Sequence, residues 1–391
     1  MAEEYDLGYI RGPRGPAGPA GPEGPQGIAG PPGPAGAVGP AGPAGAGGGD
    51  MSRSVYDPHN RHQDIFAYAD QYRGRQPATL VVAAADSKNK HRADYVCDGE
   101  GDQLLINAAI NNLPPQGGSV LLLLEGTYWL DMEGLSPTSG QNRIIEISRD
   151  NVILQGQGRS TVLKLADQTS SPQCSTHLLF IRSSGCQIRC LTLDGNSAQN
   201  SSGSVEGLRA SLFASQLLVE DCLFKNCFYA GMNSQGDYIR IMKNLFTNCG
   251  YGLYLGGGLD TASNNQVFDS ASQGIRAEGG SHILTYNRIV NSPEKGMHLY
   301  AVVTSQVKGN ALVDQPIGIH AQYATDTMIL DNMVLRAAYS NSYGSGEYSL
   351  YLEGCSRLLA VGNWLAGKAA AVSGGTAVMT AYSGADWNIS I

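Results

Sequence analysis

The sequence predicts a mainly β protein, a parallel β-helix of about 22 residues per coil behind a collagen-like stalk, and three observations predict it. Twelve glycines keep a strict three-residue period from Gly12 to Gly45. Further on, Gly231, Gly252, Gly274, Gly296 and Gly318 stand 21, 22, 22 and 22 residues apart, each followed by Met, Leu or Ile. Asparagines keep the same step at Asn244, Asn265, Asn287, Asn310, Asn332 and Asn363, spaced 21, 22, 23, 22 and 31.

Residues 1–11 form a short head and residues 12–48 the rod. Only glycine fits the crowded axis where three polyproline-II chains meet, so the period implies a homotrimer with a rod on the order of 100 Å long. Residues 49–92 read as a linker. In it Ile65, Phe66, Tyr68, Ala69 and Tyr72 have the spacing of a short amphipathic helix, either a three-stranded collar or a helix lying on its own domain, and PATLVVAAA reads as a strand.

Residues 93–391 make the β-helix domain. In GDQLLINAAINNLPPQGGS, Leu104, Leu105, Ala108, Ala109 and Leu113 share one face of a helix that stops at Pro114 and Gly117. That helix, Asp102 to Leu113, is the natural N-terminal cap of a stack whose open end needs a cover. Hydrophobic strands follow at SVLLLLEGTYWL and NRIIEISRDNVILQGQG. Coils about 4.8 Å apart place like residues over one another, so Asn amides can bond along a ladder at a bent corner. Cys222 and Cys190 extend that register upstream. Met232, Leu253, Ile275, Met297, Ile319 and Leu350 point into the core. The extra residues in RAAYSNSYGSGEYS and QNSSGSVEG form loops projecting from one side, where solenoids commonly bind. The tail AAAVSGGTAVMTAYSGADWNISI supplies the last strands, with Trp387 over the final coil.

A net charge of −8 without a Lys/Arg cluster argues against nucleic acid and polybasic membrane binding. No stretch reaches the roughly 18 apolar residues of a membrane span, and the N-terminus lacks an apolar signal segment, so synthesis in a cytoplasm is expected. Eight cysteines show neither CxxC pairs nor zinc spacing and read as reduced, mostly buried apolar residues. No cofactor and no metal are implied.

The run ADYVCDGEGDQLLINAAINNLPPQGGSVLLLLEGTYWL, followed by the Asn and Gly coils, resembles the pectate-lyase-like family. That fold is a right-handed, single-stranded, three-sheet parallel β-helix and serves lyases, hydrolases, epimerases and pure binders. The head, shaft, VYDPHNRHQDIFAYAD segment and β-helix together resemble tail fibre or receptor-binding proteins of bacteriophages that infect Gram-positive bacteria. This resemblance implies a head bound to a tail or baseplate protein, an extending shaft, a β-helix meeting a host-cell-surface glycan, and a location at the distal tail of the virion. Two other readings stand beside it: a tail-associated polysaccharide depolymerase, and a bacterial collagen-like surface protein.

Alignment on the glycines gives candidate site residues. Two positions after each glycine stand Asn233, Tyr254, Arg276, His298 and His320, with Tyr351 in register; four positions after stand Gln235, Gly256, Glu278, Tyr300, Gln322 and Glu353. Strand alternation sends both sets outward. Tyr254, Arg276, Glu278, His298, Tyr300, His320, Gln322, Tyr351 and Glu353 are therefore the candidate carbohydrate-binding residues, tyrosines offering faces and polar groups hydrogen bonds. His298 and His320 read as exposed, and two His without a third ligand as a plain surface pair. No catalytic residue is assigned; the NTD, DD, GHG and RIK segments of pectinolytic hydrolases are missing. An enzyme of this fold would be a polysaccharide lyase or glycoside hydrolase. Glu278 and Glu353 would lie about 14 Å apart, beyond the roughly 5–9.5 Å of glycosidase pairs, which leaves loop acids such as Glu206 or Glu347. Asp194 and Asp221 read as structural corner residues.

Overall fold

A computed structural model describes residues 79–114, 118–135, 140–335, 347–365, 370–383 and 389–390. The head, the rod, the collar helix, the insertion at 336–346 and Trp387 lie outside the described residues.

The first coil opens earlier than the expected boundary at residue 93: Thr79–Ala83 pairs in parallel with Ser119–Leu123 and with Tyr95–Val96. The expected strand SVLLLLEGTYWL is two strands, Ser119–Leu123 and Gly126–Leu130, meeting at a corner. The corner requires glycine. Gly126 has φ +130°, and a Cβ there would lie 2.3 Å from Asp86 Oδ1. NRIIEISRDNVILQGQG likewise divides into Gln141–Ile147 and Val152–Gln155.

The expected cap helix spans Gln103–Asn112. Its buried face is Gln103, Ile106, Ala109 and Ile110, with Leu113 behind them, whereas Leu104 is 41% exposed. QLLINAAI is apolar nearly all round, so spacing alone placed Ala109 and Leu113 correctly, with Leu105 packed against the core, but rotated the face toward Leu104 and away from Ile106 and Ile110. The helix contacts the strand Gln141–Ile147, which pairs with a later coil on one side only. Asn107 takes the place of the missing strand: its Nδ2 donates to the Ile144 carbonyl at 2.8 Å and its Oδ1 accepts from the Glu146 N–H at 3.1 Å. An edge that would otherwise template pairing is thereby closed.

From there the chain winds as a right-handed parallel β-helix, three strands to a coil, in which each strand pairs in parallel with its counterpart one coil on. Two ladders run along the stack, asparagines at a corner and glycines within a strand. Each Asn from 244 to 332 donates Nδ2 to the Oδ1 of the next ladder Asn at 2.9–3.1 Å and to a carbonyl of the coil before, while its own N–H also donates to that next Oδ1. The Cys222 N–H donates to Asn244 Oδ1, as expected. Cys190 does not continue the register. Thr192 pairs with Leu223, so Leu191 lies under Cys222, and Cys190 occupies the left-handed corner at φ +53°.

The glycine ladder has a steric cause. A Cβ on Gly274 would meet Ile289 Cγ2 at 2.4 Å and the Gly296 carbonyl at 2.7 Å, and its counterparts are equally crowded. Gly207 shares this geometry and begins the ladder one coil before Gly231. The six expected inward residues from Met232 to Leu350 are all buried in one continuous core. Burying a side chain of that size contributes roughly 1.5–3 kcal/mol. All eight cysteines are free, and six are buried. At the other end, Ala370–Ser383 pairs in parallel along Tyr348–Leu365, and Ile389–Ser390 turns back antiparallel on it.

Candidate functional site

Register brings the candidate residues together on the outer surface of one sheet. Tyr254, Arg276, His298, His320 and Tyr351 form one column, and Glu278, Tyr300, Gln322 and Glu353 form the column beside it. The first column continues upstream through Asn233, Arg209 and Phe180 to Glu146.

Outward from the core does not mean open to water. His298 and His320 are only 4% and 5% exposed, against the expectation of surface histidines. Flat rings one rung apart cover each other: His298 stacks on His320 at 4.9 Å, and His320 on Tyr351 at 4.8 Å. Tyr348 stacks on Tyr351 in turn. Burial, with Lys295, His320 and Arg276 nearby, pushes His298 down to about 3, so the ring is neutral. His320 is lowered by burial and Lys295, while its Nε2 lies 3.1 Å from Glu353 Oε2.

Arg276 is not a free donor. Its Nε donates to Glu278 Oε2 at 3.3 Å, its Nη1 lies 3.4 Å from His298 Nδ1, and its guanidinium sits between the Tyr254 and Tyr300 rings. The Tyr254 hydroxyl donates to Glu278, and burial followed by that carboxylate raises it to about 12. Burial opposes ionisation of Glu278, but the hydrogen bonds from Tyr254 and Arg276 prevail and hold it below the usual carboxylate range. What the columns present to a ligand is ring edges, the Tyr300 and Tyr351 hydroxyls and the Gln322 amide.

Glu206 is not a loop acid. It lies in the strand Ser204–Ala210 and is 1% exposed, its charge met by His177 Nδ1 at 3.0 Å, Arg209 Nη1 at 3.1 Å and Asn233 Nδ2 at 2.9 Å. Asp194 is structural, as expected: it accepts from the Asn196 N–H and Asn226 Nδ2 and pairs with Lys225.

Sequence spacing missed the upstream half of the face. There a cleft of about 340 Å³ is lined by Gln141, Arg143, Phe180, Arg182, Arg209, Ser211, Leu212, Phe213 and Gln235. Its coils differ in length, so no constant period marks them. Gly207 before Leu208, matching Gly231 before Met232, was the available signal.

Residues 146–353, just over half of the chain, match the family described as NosD, periplasmic copper-binding protein. No curated protein sequence matches the chain. Among solved structures, the A-module of mannuronan C-5 epimerase AlgE6 from Azotobacter vinelandii is similar at 19% identity and a TM-score of 0.51, covering 73% of this chain and 96% of that one. The N-terminal fragment of gene product 12 of bacteriophage Phi29 is similar at 13% identity and a TM-score of 0.52, covering 69% of this chain and 59% of that one. At such identities the likeness is one of fold.

Proposed function

The chain belongs to the NosD family, and from the β-helix that forms its described part we propose a phage tail fibre or receptor-binding protein that fixes a virion to a carbohydrate on the host cell. One observation carries this reading: a column of aromatic and polar side chains runs unbroken over successive coils from Phe180 to Tyr351 on one sheet. Ring edges, hydroxyls and amides repeated coil by coil suit a polymer of sugar units, which meets them with hydrogen bonds and edge contacts. The Gly-X-Y run supports a homotrimer at the distal tail, with residues 1–11 joined to a tail or baseplate protein.

Copper, named in the family's description, does not fit the donors present. Among the described residues no three His, Cys, Asp or Glu side chains are grouped to hold a metal. His298 and His320 lie face to face, and the His320 Nε2 is engaged with Glu353. A thioether is no help, since Met297 points into the core.

A depolymerase on the same fold is the second reading, favoured by the polar cluster of Tyr254, Arg276 and Glu278. Against a glycosidase pair, Glu278 and Glu353 are three rungs apart in register, about 14 Å.

The test follows both binding and chain length of purified host-surface polysaccharide incubated with the full chain. Binding with unchanged polymer length, weakened by Tyr300→Ala and Tyr351→Ala, is expected. Shortened polymer would establish the depolymerase instead, and an unbound polymer would end the carbohydrate reading.

A further inference from the structure

The cleft at the upstream end of the face is built unlike the tyrosine columns. Three guanidinium groups line it, and none of its described lining residues is acidic. Glu146 and Glu206 pair with them from outside the lining, so three arginines and two carboxylates leave a formal charge of +1 here, on a chain whose net charge is −8.

Each arginine is held from behind. Arg143 lies over the Phe180 ring at 4.3 Å, donates Nη2 to Gln141 Oε1 at 3.3 Å and has Nη1 3.9 Å from Glu146 Oε1; Arg182 Nη1 is 3.3 Å from the same Glu146 oxygen, and Arg209 Nη1 is 3.1 Å from the buried Glu206. Glu206 also receives His177 and Asn233, so its charge is spread inward rather than offered to the cleft. A guanidinium presents five N–H donors in a fixed fork, and one carboxylate contact leaves others to point elsewhere.

At the rim, the turn after Ser204–Ala210 places Leu212 and Phe213 in water, 73% and 74% exposed. The turn is fixed by an Ala214 N–H to Ser211 carbonyl bond at 2.9 Å and a Phe213 N–H to Ser211 Oγ bond at 3.3 Å. Two adjacent large apolar side chains at a cationic cleft provide what a sugar ring lacks elsewhere on this face, an open aromatic surface beside anion donors.

We propose that this cleft is an anionic-sugar subsite, in which Arg143, Arg182 and Arg209 hold the carboxylate or phosphate of one glycan unit while Phe213 covers its ring. The inference rests on the glycan-binding reading above and specifies the class of glycan. Planar, two-pronged recognition favours arginine for both acid groups.

The test uses the full chain with sodium polygalacturonate, a polymer of hexose units joined by phosphodiesters, dextran and the purified host-surface polysaccharide, with affinities measured by titration calorimetry. Arg182→Gln and Phe213→Ser are the variants, because both side chains are largely solvent-exposed and neither supports the buried Glu206; unchanged melting confirms the fold. Expected are binding of the host polysaccharide and of one anionic polymer, weakening with salt, and a loss of roughly tenfold in either variant. Whether the polyuronate or the phosphate polymer binds identifies the acid group. Host polysaccharide held equally well by both variants, or dextran bound as tightly as the anionic polymers, would remove the subsite and leave glycan binding intact. No binding to any polymer would sink both readings.

Discussion

Replacing Asp260 by asparagine isolates a buried carboxylate that has no cation among its hydrogen-bond partners. Asp260 is fully buried, accepting from the Ile239 N–H at 3.0 Å and from Ser234 Oγ at 3.2 Å. Burial, with a smaller contribution from Asp237, raises it from 3.8 to about 7. The folded state therefore binds this proton more tightly than the unfolded chain. Its stabilising effect is complete below about pH 4, declines as pH rises toward 7 and is lost above it, a change on the order of 4 kcal/mol. Asparagine keeps an acceptor for Ile239 and adds a donor for Ser234 without a charge. Urea unfolding of both proteins at about pH 4 and pH 8 gives the wild-type minus variant difference, from which other titrating groups cancel. The wild type should lose several kcal/mol relative to the variant between these two values. A difference constant to within about 1 kcal/mol would refute the argument, because Asp260 would then ionise as readily folded as unfolded.

Three further outcomes are expected. His298→Gln should show the opposite sign: the depressed histidine contributes fully above the unfolded pKa of 6.5 and loses that contribution as pH falls toward about 3, so the wild-type minus variant urea midpoint should fall on acidification. Asn287→Ala removes the acceptor of the Asn265 N–H and the donor to the Ala262 carbonyl inside the core, at a cost of about 2–5 kcal/mol, while Gln266→Ala on the exposed outer surface should change the urea midpoint little. Gly274→Ala should destabilise by roughly 1–3 kcal/mol in the same assay, since its Cβ meets a neighbouring backbone carbonyl that cannot move aside; a neutral effect would mean the ladder is not sterically imposed.

The coil is legible in the repeat along the chain. Gly231 to Gly318 and Asn244 to Asn363 repeat because each strand glycine meets the same steric demand, and each corner asparagine the same hydrogen-bonding demand, one coil later, and strand alternation then assigned Met232 to the core and Tyr254 to the outer column. Burial and partnership are settled once the coils have stacked. Whether an outward ring is covered depends on what stacks above and below it, so His298 and His320 read as exposed in the sequence and are enclosed in the fold. The cap helix shows the same limit, since a segment apolar on most sides does not say which side faces the strand Gln141–Ile147. The arginine cleft was illegible for a related reason. Its residues come from coils of unequal length and meet only after those coils have stacked, so no period along the chain connects Arg143 to Arg209 or either of them to Phe213.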